Sequence, residues 1–137
     1  MALFYADTSA LVKLIREEPE SGALRTYLAD DELICCELAL AEMPRAIRRA
    51  AAADSRLDQA LLLERAHDLL DALALLPLDA GVLELAGALA EPALRTLDAI
   101  HVASALELSP LDGFVSYDER QAAAARLAGL RTVAPGV

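Results

Sequence analysis

The sequence predicts an α/β protein: a three-layer α/β/α sandwich built on a central parallel sheet. Three observations carry that expectation. Short apolar runs alternate with longer stretches of helical periodicity along the whole chain, the order that lays strands side by side with helices across them. The apolar runs are continuous rather than alternating, as strands covered on both faces require. Finally, 56% of residues are hydrophobic and the mean hydropathy is +0.37, enough core for the chain to fold alone and to exclude a disordered acidic tail. With 137 residues, no internal repeat and no dividing linker, one domain spanning 1–137 is expected.

Leu3–Ala6 is the first strand, followed by helices over Ser9–Glu18 and Glu20–Asp30. Leu33–Cys36 is the second strand, and Glu37–Ala53 and Ser55–Asp71 are helices. Pro44 falls inside the first of these, where it removes a hydrogen bond and predicts a kink or the start of the helix's regular part. Leu73–Leu76 is the weakest strand, because it follows a helical pattern without a breaker; Pro77 ends it. Ala80–Ala90 and Leu97–Leu108 are helices, Gly113–Ser116 is the fourth strand, Glu119–Ala128 the last helix and Arg131–Val133 the fifth strand.

The most apolar stretch, Ala72 to Ala90, is broken by Pro77, Asp79, Gly81 and Glu84, so no membrane span is expected. The opening MALFYADTSALVKL lacks a basic n-region and a small-residue cleavage pattern, which predicts a cytoplasmic protein. Cys35 and Cys36 are adjacent in an apolar run, fit neither a useful disulfide loop nor metal-ligand spacing, and are expected as buried free thiols.

Charge narrows the function classes. Twelve Lys+Arg against 22 Asp+Glu give 12 − 22 = −10, which argues against a nonspecific electrostatic nucleic-acid binder. Aromatics are only 4% and Trp is absent, so readout by base stacking is not expected.

In a parallel α/β sheet the loops after the carboxyl ends of the strands gather on one edge, where ligands bind. Asp7 follows the first strand and Asp118 the fourth; Asp98 opens the helix Leu97–Leu108, with Thr96 as its expected N-cap, and Glu42 lies in the helix after the second strand. The three aspartates also suit helix starts, where an acid gains about 0.3–1 kcal/mol, and Glu42 alone suits a solvated helix face. Capping accounts poorly for Asp98, whose neighbours Leu94, Leu97, Ile100, Val102 and Ala103 shelter it. A buried carboxylate costs several kcal/mol without compensation. Two carboxylates about 4 Å apart repel by roughly 4 kcal/mol at an effective dielectric of about 20, so four acids in one cleft call for a cation. Oxygen-only ligands select Mg2+ or Mn2+ over zinc. Such a site holds a phosphate and activates water for in-line attack, which is phosphodiester hydrolysis.

Other residues have two readings. At about 100° per residue Arg49 falls nearly in line with Glu42, while Arg45 lies about 60° away; with Arg48 they form a phosphate clamp or a solvated basic face. Lys13 is expected on a solvated face rather than in contact with substrate, and His101 as a packed, hydrogen-bonded histidine rather than a general base. An aspartyl-nucleophile phosphatase would carry a second Asp two residues after Asp7, where Ser9 stands. No G-x-G-x-x-G follows the first strand, which disfavours dinucleotide binding.

Four segments, FYADTSALVKL (4–14), CELALAEMPRAIRR (36–49), LRTLDAIHVASAL (94–106) and FVSYDERQAAAARLAGLRTVAPG (114–136), resemble the PIN-domain ribonucleases, and within them the VapC toxins of toxin–antitoxin pairs. Residues 50–93 add little beyond helices. The resemblance implies a PIN-like sandwich and an acidic quartet of Asp7, Glu42, Asp98 and Asp118 that binds Mg2+ (or Mn2+) and cleaves RNA. Ser9 and Ser116 match polar positions that often assist near the metal or substrate in such proteins, and a helix cap is an equally good reading for either. It also implies a homodimer and a cognate VapB-type antitoxin whose tail blocks the cleft, a role for which an acidic surface suits a basic partner. The alternative is a catalytically inactive PIN-like module whose acids are caps and whose role is to bind a protein.

Overall fold

The structure, a computed structural model, describes residues 1–137. The elements run β1 (Leu3–Ala6), α1 (Thr8–Ile15), α2 (Ser21–Leu28), β2 (Glu32–Cys36), α3 (Ala39–Ala53), α4 (Gln59–Ala72), β3 (Ala74–Leu76), α5 (Ala80–Ala88), α6 (Thr96–Glu107), β4 (Gly113–Val115), α7 (Glu119–Leu127) and β5 (Thr132–Val133). The expected α/β class and all five strands are present, every strand end within one residue of expectation; the helices differ more, α1 ending at Ile15 rather than Glu18 and α4 starting at Gln59 rather than Ser55. β3 is three residues long at the sheet's edge, which explains its weak sequence signal.

The sheet is wholly parallel, in the order β3-β2-β1-β4-β5. Helices α1 to α4 pack with one another in one layer, and α5 to α7 form the other. The chain winds outward from β1 in both directions, so the topological switch point, where crevices open, lies at the carboxyl ends of β1 and β4. Ala6 pairs with Val115, and the next residues, Asp7 and Ser116, therefore emerge level at that point.

Burial follows the sequence pattern. Tyr5, Ala6, Phe114 and Val115 have no exposed surface, as central strands covered on both faces demand. The Tyr5 and Phe114 rings stack with centroids 5.4 Å apart. Leu11, Met43 and Ile47 turn the apolar stripes of α1 and α3 inward, each contributing about 1.5–3 kcal/mol by its burial. α3 runs through Pro44. Pro44 has no N–H to give the Leu40 carbonyl, and Leu40 is 53% exposed, so the carbonyl left without that partner belongs to a residue at the surface rather than in the core.

Candidate active site

At the switch point a cleft of about 390 Å³ is lined by Thr8, Ser9, Lys13, Glu42, Arg49, Asp98, His101, Tyr117 and Asp118, with Gln121 behind them. A larger groove, about 700 Å³, opens near the other end of the strands between Leu3, Leu28, Leu33 and Leu73. It is mostly apolar, so the chemistry belongs to the smaller cleft.

Asp7 is buried beneath the cleft floor and caps α1, its Oδ1 accepting from the Ala10 N–H at 3.1 Å and from Ser9 Oγ at 2.6 Å. Ser116 Oγ donates to Oδ2. Burial pushes this carboxyl above its ordinary range, and the two serine hydroxyls pull it back. Ser9 and Ser116 thus act on Asp7 itself. Ser9 also accepts from the Tyr117 N–H at 3.0 Å, which ties the β1 loop to the β4 loop.

Asp118 caps α7, with Oδ1 accepting from Arg120 and Gln121 N–H groups at 3.0 and 3.2 Å. Asp98 lies in the first turn of α6. Burial raises its carboxyl first, the Asp118 charge adds to this and Glu42 adds further, while His101 opposes. The α6 cap differs from expectation. Arg95, in extended backbone and without a side-chain bond, is the N-cap, and Thr96 is the first helical residue.

Glu42 reaches from the α3 layer to the α6 layer. Its Oε1 accepts from His101 Nε2 at 2.5 Å and from Thr8 Oγ1 at 2.8 Å. His101 is buried, its Nδ1 sharing a 2.7 Å hydrogen bond with the Tyr5 hydroxyl, as expected of a packed histidine. Burial disfavours the charged ring, but the bonds to Cys36 and Glu42 outweigh it and hold its pKa up at about 10.

The basic face is divided. Arg49 lines the cleft, whereas Arg45 and Arg48 are exposed outside it. Lys13 departs from the expected solvated face: its side chain is 13% exposed, and its ammonium bonds Glu20 at 3.0 Å and Glu18 at 3.5 Å and sits 4.7 Å from the Tyr117 ring centroid. Pro19 and the turn before α2 bring those acids back onto α1, an arrangement that the helical spacing of Lys13 does not reveal. Thr8 and His101 as partners of Glu42 are also absent from the sequence reading, because Thr8 lies 34 residues and His101 lies 59 residues from it.

Glu42, Asp98 and Asp118 therefore share one cleft, with Asp7 buried against it and bonded to the cleft residue Ser9. Their oxygens are not drawn together: no three of them lie within 4.8 Å of one another, because Glu42 is turned to His101 and Thr8. The donor set is all oxygen and mutually repelling, which fits a hard divalent cation and no softer one.

Comparisons with known proteins agree with this architecture. A PIN domain family model matches residues 4–127. The chain is 42% identical over 137 residues to Ribonuclease VapC46 of Mycobacterium tuberculosis (strain ATCC 25618 / H37Rv), covering 98% of this chain and 99% of the relative. It is 38% identical over 140 residues to Ribonuclease VapC47 of M. tuberculosis (strain CDC 1551 / Oshkosh), with 98% of each covered. The crystal structure of M. tuberculosis VapC20, described as a sarcin-ricin loop cleaving toxin, superposes with a TM-score of 0.70 at 18% identity over 96% of this chain and 99% of that one.

Proposed function

The chain belongs to the PIN domain family, and on that premise we propose that it is a divalent-metal-dependent endoribonuclease, the toxin of a VapBC-type pair. One observation carries the reading: Glu42, Asp98 and Asp118, from three separate elements, line a single cleft above Asp7, in a chain about 40% identical over its length to proteins named ribonucleases.

Asp7, Glu42, Asp98 and Asp118 are the acids that hold Mg2+ or Mn2+. When bound, the ion offsets their repulsion, neutralises the charge on a phosphodiester and activates water for in-line attack. This chain's residues prepare the site. Ser9 and Ser116 fix Asp7, His101 and Thr8 fix Glu42, and backbone N–H groups at the start of α7 fix Asp118. Arg49 is the cationic side chain placed to meet a phosphate, and Arg45 serves only an extended substrate. With a net charge of −10 the chain exerts little long-range pull on RNA, so local contacts decide binding. The same acidic cleft suits a basic segment of a VapB-type antitoxin. No helix is long and apolar enough to cross a membrane; a cytoplasmic single-domain protein acting as a homodimer completes the proposal.

The test uses chain purified free of any antitoxin. It is incubated with an RNA panel with and without millimolar Mg2+ or Mn2+, and the cleavage ends are mapped. Metal-dependent cleavage that is lost in Asp98→Asn and Asp118→Asn is expected. RNA left intact by folded wild-type chain at millimolar Mn2+ refutes the enzyme and favours a protein-binding role.

A further inference from the structure

Behind His101, on the side away from Glu42, lies a second group of donors that the nuclease reading does not use. Cys35 Sγ, Cys36 Sγ and a His101 ring nitrogen all lie within 4.8 Å of one another, and all three residues are buried. Cys36 Sγ is 3.9 Å from His101 Nδ1, Cys35 Sγ is 3.8 Å from the Tyr5 hydroxyl, and that hydroxyl is 2.7 Å from His101 Nδ1. Three donor atoms therefore meet in the core, with the Tyr5 hydroxyl beside two of them, brought there from β1, β2 and α6.

We infer that Cys35, Cys36, His101 and Tyr5 form a binding site for a thiophilic divalent ion such as Zn2+, separate from the carboxylate cleft. Donor type supports this: thiolate and imidazole select zinc-like ions and are poor ligands for Mg2+. Size supports it as well. Metal–sulfur bonds of about 2.3 Å and metal–nitrogen bonds of about 2.0–2.1 Å in a tetrahedron set donor–donor edges of roughly 3.5–3.8 Å, so the observed edges close with sub-ångström to ångström adjustments.

Charge supports it most strongly. With the imidazole neutral and bound through Nδ1, the group has two protons to lose, one for each thiolate formed. A divalent ion displaces both, leaving two thiolates, a neutral imidazole and no net charge. A neutral site avoids the cost of burying an ion in an apolar core, whereas a monovalent ion would leave an uncompensated negative charge. Tyr5 keeps its proton and offers its oxygen as the fourth ligand. The outer shell already exists, because a metal-bound histidine characteristically donates its other N–H to a carboxylate, and His101 Nε2 meets Glu42 at 2.5 Å. Access is short, since His101 itself lines the cleft wall. Loading the site would fix the ring that holds Glu42.

The test titrates Cd2+, as a spectroscopic substitute for Zn2+, into reduced, chelator-treated chain in excess Mg2+. Cys35 and Cys36 are the chain's only cysteines, so any thiolate-to-metal ultraviolet band reports this pair. A band saturating at one Cd2+ per chain, competed away by Zn2+, with native helical circular dichroism is expected; Cys36→Ser should weaken binding by about tenfold or more. If the serine variant does not fold, protection of both wild-type thiols from alkylation by one equivalent of Zn2+ takes its place. No band in folded wild-type chain, a band only after unfolding, or saturation at half an equivalent, which marks bridging between chains, overturns the inference. Cleavage of RNA does not enter the readout, so the nuclease proposal stands or falls separately.

Discussion

Replacing Asp98 by Asn separates a metal ligand from a structural acid, because the two roles predict opposite responses to metal. Asp98 is half-buried, and its carboxyl is raised first by burial and then by the charges of Asp118 and Glu42. Two carboxylates about 6 Å apart repel by roughly 3 kcal/mol at an effective dielectric of about 20. The cleft is open to water, and screening reduces each pair to well under 1 kcal/mol or so. Against that relief stands the loss of an acid in the first turn of α6, about 0.3–1 kcal/mol. The metal-free variant should therefore match the wild type or exceed it by up to about 1 kcal/mol, a Tm gain of zero to about 4 °C for a chain of this size.

With metal present the order reverses. A cation at 100 times its Kd stabilises the wild type by about 2.7 kcal/mol, roughly 10 °C. If Asn weakens binding about 100-fold, the same concentration stabilises the variant by only about 0.4 kcal/mol. Thermal unfolding of both proteins, with and without millimolar Mg2+ or Mn2+, should thus show crossing stabilities, with RNA cleavage lost in the variant. A variant less stable than wild type by the same amount in both conditions would refute the reasoning, since it would make Asp98 a structural residue.

Three further outcomes follow from the geometry. Ser116→Ala leaves Asp7 Oδ2 without its protein donor in a buried position and should cost about 1–3 kcal/mol by chemical denaturation. His101→Asn breaks the bridge from Tyr5 to Glu42; it should cost a similar amount and weaken the metal-induced Tm shift, because Glu42 is then held by Thr8 alone. The pH dependence comes from Asp7 and Asp98, whose folded-state pKa values are raised above 3.8. Their contribution to metal-free stability is present in acid and lost as pH rises through those raised values. Metal must displace the same protons, so the Mg2+-induced Tm shift should grow as pH rises through those raised values, and more shallowly in Asp98→Asn.

What could be seen in the sequence is what is local along it. The strands announce themselves as apolar runs, and Asp7 and Asp118 are visible because each follows a strand in a parallel sheet, where position along the chain dictates position at the edge. What escaped depends on contacts between distant segments. Cys36 and His101 lie 65 residues apart, and spacing along the chain, which made the thiols look merely buried, carries no information about a pair of strands meeting a helix. Lys13 was misplaced for the same reason, since the acids that shelter it belong to the turn into α2 rather than to its own helix.

Capping and ligation, which the sequence presents as a contest, prove compatible once the oxygens are counted. A carboxylate has two oxygens with about four lone-pair positions, and a helix cap consumes few of them. Asp118 caps α7 through Oδ1 alone, leaving Oδ2 for the cleft. Asp7 gives Oδ1 to Ser9 and Ala10 and spends Oδ2 only on Ser116. The cap fixes the direction of the free oxygen, because it locks the side chain to the backbone at the strand end. A fold that starts helices with aspartates at the switch point thus lets one carboxylate cap a helix and keep lone pairs in reserve, and Glu42, which caps nothing, is held instead by His101 and Thr8.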